Sequence, residues 1–304
     1  MLKRVFYRKC NETASDEALV QELLSQVDER TLEAYDGSSE LPTGAKDASA
    51  VESLLLRYLV AEKKSIEQAS ARLEKQAAWR RGWGTVSEED VMAELQLGKV
   101  KVQLPTTGSA GRPMIIVKGK LHRPGTPPLL MNQFIYYCLE AASHYCWHPA
   151  NPDGKLVAVF DLAGLQIKNL DAAALRASFT MLEQHFPERV VEIWMLEAPT
   201  IFWGIWKLVS PFIDQTTRKR IHFVYGAAAR EQLVKSLGTD ILPVEYGGSA
   251  AETPVEQAVQ QLAAWRKQMG LEQAQPQEEL AQEGAASLRV SRSSPTLAQA
   301  QGSC

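Results

Sequence analysis

Cysteine is scarce and unpatterned in this 304-residue chain: Cys10, Cys138, Cys146 and Cys304 are the whole set. No two of them form a C-x-x-C pair, which excludes a disulfide framework and a paired-thiolate zinc site and fits a reducing compartment. No apolar run approaches the ~18 to 20 residues of a membrane span. Net charge is small, 33 Lys and Arg against 36 Asp and Glu for a formal -3. The chain as a whole therefore has no attraction to nucleic acid or to an anionic bilayer, and any basic membrane contact must be local. Missing too are the G-x-S-x-G nucleophile elbow, the Walker loop and the G-x-G-x-x-G dinucleotide turn. Nucleic acid is not an expected partner and catalysis is not the expected activity; an esterase built on an unfamiliar motif is the enzyme reading that stays open.

At 45% hydrophobic composition the chain has material for one sizeable domain with a helical appendage. Met1 to Lys9 is basic and apolar, but Glu12, Asp16 and Glu17 arrive too soon for a transit peptide, and the apolar core is too short for a signal peptide. A basic patch touching a membrane is the competing reading of that segment. Ser15 to Leu32 has roughly helical spacing, and Tyr35 to Asp47, with its Gly, Ser and Pro, reads as a linker. Leu55, Tyr58 and Leu59, then Ile66, Ala69, Leu73 and Ala77, place apolar side chains on one face of two helices, broken at Lys63-Lys64-Ser65 and ended by Gly82 and Gly84.

From Met114 the pattern changes. Met114 to Val117, Leu156 to Phe160, Val190 to Leu196 and Ile221 to Val224 are short apolar runs, the last two rich in β-branched and aromatic residues, with helical segments between them at about 129–146, 171–185 and 229–237. That alternation predicts an α/β fold, a mixed but mostly parallel sheet covered by helices. Behind Pro254, the residues Val255, Val259, Leu262, Trp265 and Met269 share one helical stripe, expected to fold back on the domain, with a partner or membrane surface as the other reading. Glu272 to Cys304 is too poor in large apolar residues to offset chain entropy and reads as a disordered tail; Arg289 to Pro295 is a candidate phosphorylation string within it. His144, Cys146 and His148, with Cys138 upstream, share helical spacing but lack the paired spacing of a zinc site, so no metal is expected. Asp161 beside Gly164 reads as the cap of a strand-to-helix turn rather than a catalytic acid.

One stretch is more specific. His185-Phe-Pro-Glu-Arg-Val-Val-Glu-Ile-Trp-Met-Leu-Glu-Ala-Pro199 runs on through Trp206, Pro211-Phe-Ile-Asp214 and Thr217 to Leu242-Pro-Val-Glu-Tyr-Gly-Gly248. Upstream lie Leu54-Leu-Leu-Arg-Tyr-Leu59, Trp79-Arg80 and Leu156-Val-Ala-Val-Phe-Asp-Leu-Ala-Gly-Leu165. This order of parts, over roughly residues 51 to 249, resembles the CRAL-TRIO lipid-binding family of Sec-fourteen-like phosphatidylinositol transfer proteins. The resemblance implies an apolar pocket preceded by a small helical module. It organises the chain as an N-terminal helix and linker at 1–50, the helical module at 51–95, the lipid-binding domain at 96–250, an amphipathic helix at 251–270 and the tail at 271–304.

The same resemblance implies a soluble or peripheral lipid carrier at a cytoplasmic membrane face, with one bound lipid and no cofactor. Phosphatidylinositol is the first expected ligand, with phosphatidylcholine exchange; a sterol, a tocopherol-like isoprenoid or a retinoid is the alternative. A reading of another class is a lipid-sensing regulatory module without transfer activity, recruiting a protein partner through 254–304. Headgroup contacts of the inositide-binding members fall on Glu188, Thr217 and Arg220, the last an Arg where Lys is usual. A further contact in the entry helices falls on Lys63, although Glu62 stands where an Arg is usual. The gate helix of the family matches Ala198 to Asp214, in which Phe202, Trp203, Trp206, Val209 and Phe212 are the expected gate and membrane contacts. About 60° apart on a helix, Trp203 and Trp206 are expected to divide between packing and lipid headgroups.

Overall fold

The structure, a computed structural model, describes residues 14–42, 47–106 and 109–271. Five strands form one sheet in the order β1-β2-β3-β4-β5: β1 (Val100–Gln103), β2 (Met114–Lys118), β3 (Leu156–Asp161), β4 (Val190–Leu196) and β5 (Ile221–Val224). β1 runs antiparallel to β2, and the rest are parallel. Since consecutive parallel strands are neighbours, and such crossovers share one hand, the connecting helices fall on one face. They are α6 (Pro128–His144), α7 (Ala172–His185) and α8 (Phe202–Val209), the last followed by the short α9 (Gln215–Lys219). Side chains alternate across the strands accordingly. Ile115, Ala158, Phe160, Ile193 and Met195 meet the crossover helices, while Met114, Ile116, Val157, Val159, Trp194 and Leu196 meet α10 (Gly226–Leu237) through Leu233 and Leu237.

Among the described residues, four of the helices ahead of the sheet pack together: α1 (Ala14–Gln26), α2 (Glu29–Glu33), α3 (Ala48–Ala61) and α4 (Ile66–Trp83). Helical periodicity across Ser15 to Leu32 is interrupted at Asp28, whose extended backbone and side chain cap α2 through the N–H of Arg30. The turn between α3 and α4 places Lys63 and Lys64 at φ 51° and 66°, and Ser65 caps α4. Apolar faces of all four helices close on Leu23, Tyr35, Leu54, Leu55, Tyr58, Leu59, Leu73 and Ala77.

The segment read as a linker is instead partly core. Ser39, Glu40 and Leu41 are fully buried. One Glu40 oxygen pairs with Arg57, and the other accepts from Arg189 Nε at 2.9 Å. Burial pushes the Glu40 carboxyl up, but Arg189 and then Arg57 outweigh it and hold the group at about 2. Arg189 also donates to the carbonyls of Ser39 and Gly154. The partners lie 17 and 149 residues from Glu40 in the chain, so local composition carries no sign of them.

Besides the short α9, a further helix and a strand escaped the periodicity argument. α5 (Glu88–Leu95) is an eight-residue helix with a capping box between Ser87 and Asp90, and β1 has only four residues. Both wall the main core through Val91, Leu95, Val100 and Val102. α11 (Val255–Met269) folds back on α6 by burying Val255, Ala258 and Trp265, with the Trp265 ring 4.8 Å from Tyr145 and the Tyr145 hydroxyl donating to Ala258 O at 2.6 Å. The tail from Glu272 and the first thirteen residues lie outside the described residues, as do the targeting and phosphorylation readings that fall on them.

Candidate lipid cavity and its edges

Between the sheet and α6, α7 and α8 lies an apolar cavity of about 150 Å³, opening into a cleft whose empty volume, mouth included, is about 1000 Å³. Ile115, Ala158 and Phe160 form its floor, α6 contributes Met131, Phe134 and Ile135, and α8 closes it with Phe202 and Ile205. A dry apolar cavity of ~150 Å³ accommodates a molecule near the size of benzene. A two-chain lipid is larger than this volume.

α8 is apolar on both its inner and its outer face. Its inner face places Phe202 and Val209 in the core, and the Trp206 ring lies 6.2, 5.9 and 5.5 Å from Phe179, Phe202 and Phe223. Its outer face leaves Leu208 at 65% exposure, with Phe212 beyond the helix end at 56%. Trp203, 38% exposed, rests on Phe223 at 4.8 Å. The five residues assigned to gate and membrane contact thus divide. Phe202 and Val209 are buried and are not surface contacts, Trp206 packs, and Trp203 and Phe212 face outward, because helical spacing puts 202, 205/206 and 209 on one stripe. The Arg176 guanidinium of α7 lies 3.7 Å over the Phe212 ring, and Arg218 donates to the carbonyls of Ser210 and Ile213, clasping the end of the segment.

At the edge of the sheet where the parallel strands begin, three of the expected headgroup residues come together. Glu188, at φ 57°, accepts from Arg220 Nη2 at 2.7 Å and from Lys155 Nζ at 3.4 Å. Arg220 Nη1 donates to Val190 O at 2.8 Å, and the Arg220 N–H donates to Thr217 O at 3.0 Å. Only two of the five guanidinium N–H donors are used in these contacts. Thr217 lies in the first turn of α9, where Asp214 accepts from its backbone N–H. Lys63 is exposed on the α3–α4 turn and touches none of the three. Its neighbour Glu62 pairs with Arg72 at 2.6 Å, Arg72 donates to Glu183 O, and Glu183 accepts from Asp214 N at 2.9 Å. None of Glu188, Thr217, Arg220 or Lys63 lines the cavity.

The CRAL/TRIO domain profile matches residues 97–248. The chain belongs to the CRAL/TRIO family. Over 212 residues it is 25% identical to the phosphatidylinositol transfer protein CSR1 of Eremothecium gossypii, covering 65% of this chain and 47% of that protein. Over 225 residues it is 27% identical to the SEC14 cytosolic factor of the same organism, covering 67% of this chain and 71% of the relative. The chain thus spans about half the length of the first relative and under three quarters of the second. The crystal structure of Sfh5 shares the fold, with a TM-score of 0.58 at 15% identity over 84% of this chain and 99% of that one.

In this CRAL/TRIO domain the Asp of the central strand is a turn cap: Asp161 accepts from Ala163 N at 2.9 Å and from the Tyr246 hydroxyl at 2.9 Å. His144 receives an Arg266 N–H at Nδ1, and His148 receives the Ala150 N–H. Among the described residues no group of three His, Cys, Asp or Glu is placed to hold a metal ion. Cys138 and Cys146 are buried free thiols, both pushed up by burial, Cys146 to about 12. Gly248 belongs to the closing turn because a Cβ there would lie 1.9 Å from Leu242 O. What the sequence argument did not find is a polar group of cavity-lining residues, Lys99, His122 and Asp171, at the opposite end of the sheet from Glu188; these residues are scattered along the chain with no motif between them.

Proposed function

We propose that this chain binds one lipid in the cavity under α8 and exchanges or presents it at a membrane, with phosphatidylinositol as the first ligand and no catalysis. The observation that carries the reading is an apolar cavity closed by a helix whose outer face is also apolar. A phospholipid has roughly thirty acyl methylenes at about 0.8 kcal/mol each, so exposing both chains to water costs on the order of 25 kcal/mol. A carrier removes that barrier only if its lid opens where the bilayer replaces water. The mouth suits a bilayer: segments 119–130, 162–170 and 201–213 contain no carboxylate, and they carry Lys120, Arg123, Lys168 and Lys207. Beside these cations Ile167 is 76% exposed and Leu129 62%. In a chain of net negative charge these segments are locally basic and apolar, the composition that anionic interfaces attract.

The inositol assignment rests on Glu188, Thr217 and Arg220, with Arg220 free to offer further N–H donors to a phosphate. It is supported by similarity to a protein named for phosphatidylinositol transfer. Mass spectrometry of lipids extracted from the natively purified chain tests it, followed by transfer assays with phosphatidylinositol and phosphatidylcholine. Stoichiometric phosphatidylinositol that is lost in Arg220→Ala while phosphatidylcholine uptake persists is the expected result. A sterol or isoprenoid would discard the headgroup assignment, and a chain that takes up no lipid would discard the carrier.

A further inference from the structure

The cavity has a polar end of its own. Asp171 and His122 lie just beyond the strands β3 and β2, and Lys99 immediately precedes β1, its carbonyl accepting from Lys118 N at the end of β2. All three therefore sit where the parallel strands finish, whereas Glu188 and Arg220 sit where β4 and β5 begin. Six residues of strand separate the two edges by about 20 Å.

Charge is already settled within this group. Lys99, 3% exposed, is the one cationic side chain among the described residues lining the cavity. Its ammonium donates to Glu94, whose other oxygen accepts from Thr126, and it lies 4.7 Å over the Phe134 ring. Lys99 Nζ is 3.1 Å from His122 Nδ1, and His122 Nε2 is 3.2 Å from Asp171 Oδ2. An ammonium can only donate, so Nδ1 accepts and the ring carries its proton on Nε2, donated to Asp171. Burial, then the charge of Lys99, pushes the imidazole down and keeps it neutral. Asp171 Oδ1 caps α7 by accepting from Ala174 N. The group therefore holds two carboxylates, one ammonium and a neutral ring, for a net charge of one negative.

We propose, building on the lipid-carrier reading, that this end of the cavity selects a neutral hydroxyl or carbonyl group and rejects a carboxylate. A buried lysine at the end of an apolar cavity would ordinarily mark a fatty-acid site. Here Glu94 occupies that role, so a second carboxylate would enter a water-poor site already carrying surplus negative charge. A hydroxyl needs no counter-charge: it can accept from Lys99 and donate to an oxygen of Glu94 or Asp171. Ligands consistent with this end are long-chain alcohols, acylglycerol hydroxyls and esters, while free fatty acids are excluded.

Removing the internal anion should convert the site. The full chain is loaded with a fluorescent phosphatidylinositol, which is displaced at neutral pH by dodecanol or by laurate, matched in chain length and used below their aggregation limits. Any apolar cavity favours the alcohol, so the decisive quantity is how the ratio of the two affinities changes. In Glu94→Gln, which keeps the shape and frees the Lys99 charge, laurate is expected to gain at least tenfold while dodecanol stays within threefold. Asp171→Asn retains a cap for α7 and removes the other negative charge, and should shift the ratio the same way. A ratio unchanged in both variants, with phosphatidylinositol and dodecanol still bound, overturns the charge inference and leaves the carrier intact. Failure of the unmodified chain to take up phosphatidylinositol or dodecanol defeats the carrier and this inference together.

Discussion

Replacing Glu40 with alanine is expected to be the most damaging single change outside the sheet. The variant takes one carboxylate away from two guanidiniums, Arg57 and Arg189, in a site where Glu40 is fully buried and the two arginines are 3% and 1% exposed. Removing one partner from a buried ion pair costs roughly 3–5 kcal/mol, because the other charge stays out of water without compensation. Linkage gives a similar size. The Glu40 carboxyl drops from 4.5 to about 2 on folding, and at 1.36 kcal/mol per pH unit that is worth about 3 kcal/mol. Against a typical total of about 5–15 kcal/mol, the loss is a large share. The sign follows from the lowered value: the contribution is complete above the unfolded value of 4.5 and disappears as pH falls toward 2. Urea unfolding followed by tryptophan fluorescence, with wild type and Glu40→Ala compared at pH 7 and at intervals below 4.5, measures both effects. The gap between the two proteins should be widest at neutral pH and shrink through that acid window. Because Arg189 anchors the corner that presents Glu188, phosphatidylinositol binding should weaken as well. A difference below about 1 kcal/mol at unchanged denaturant slope would refute the reasoning.

Charging the outer face of the gate, in Trp203→Asp with Phe212→Asp, is expected to reduce vesicle binding and lipid transfer at least tenfold while far-ultraviolet circular dichroism is unchanged, since both side chains are exposed; transfer at the wild-type rate would remove α8 as the membrane contact. Gly248→Ala forces a Cβ against Leu242 O and should lower stability by about 1–3 kcal/mol or more, read from the shift of the urea midpoint. Burial, then Arg80 and Arg72, pushes His185 down to about 4, with its ring stacked 3.7 Å from Trp79. Its nuclear magnetic resonance signal should therefore stay constant from pH 8 to 5 and move near 4. The unfolded chain takes up this proton near 6.5, so stability should fall from pH 6.5 toward 4 from this group; a midpoint near 6.5 in the folded protein would contradict the burial.

Much of this architecture was written locally. Strands β2 to β5 and helices α3, α4, α6, α7 and α11 follow from periodicity and caps, since each buries a continuous face whose spacing is visible within one element. The family followed from the order of motifs around His185 to Gly248, and the same motifs supplied Glu188, Thr217 and Arg220 as candidates. β1 and α5 were invisible because four and eight residues are too few to show a period. Tertiary structure alone decided the rest. Glu40 stands in a stretch of loop composition and becomes core only because Arg57 and Arg189 arrive from 17 and 149 residues away. Phe202 and Val209 turn inward and Phe212 outward because the sheet floor chooses which face of α8 it covers. Likewise Lys99, His122 and Asp171, separated by 23 and 49 residues, meet only because neighbouring strands end at the same edge. Sequence determines the elements, whose free energy is paid residue by residue along the chain. The sign of the charge that a cavity presents depends on which distant side chains pair first, and only the packed fold decides that.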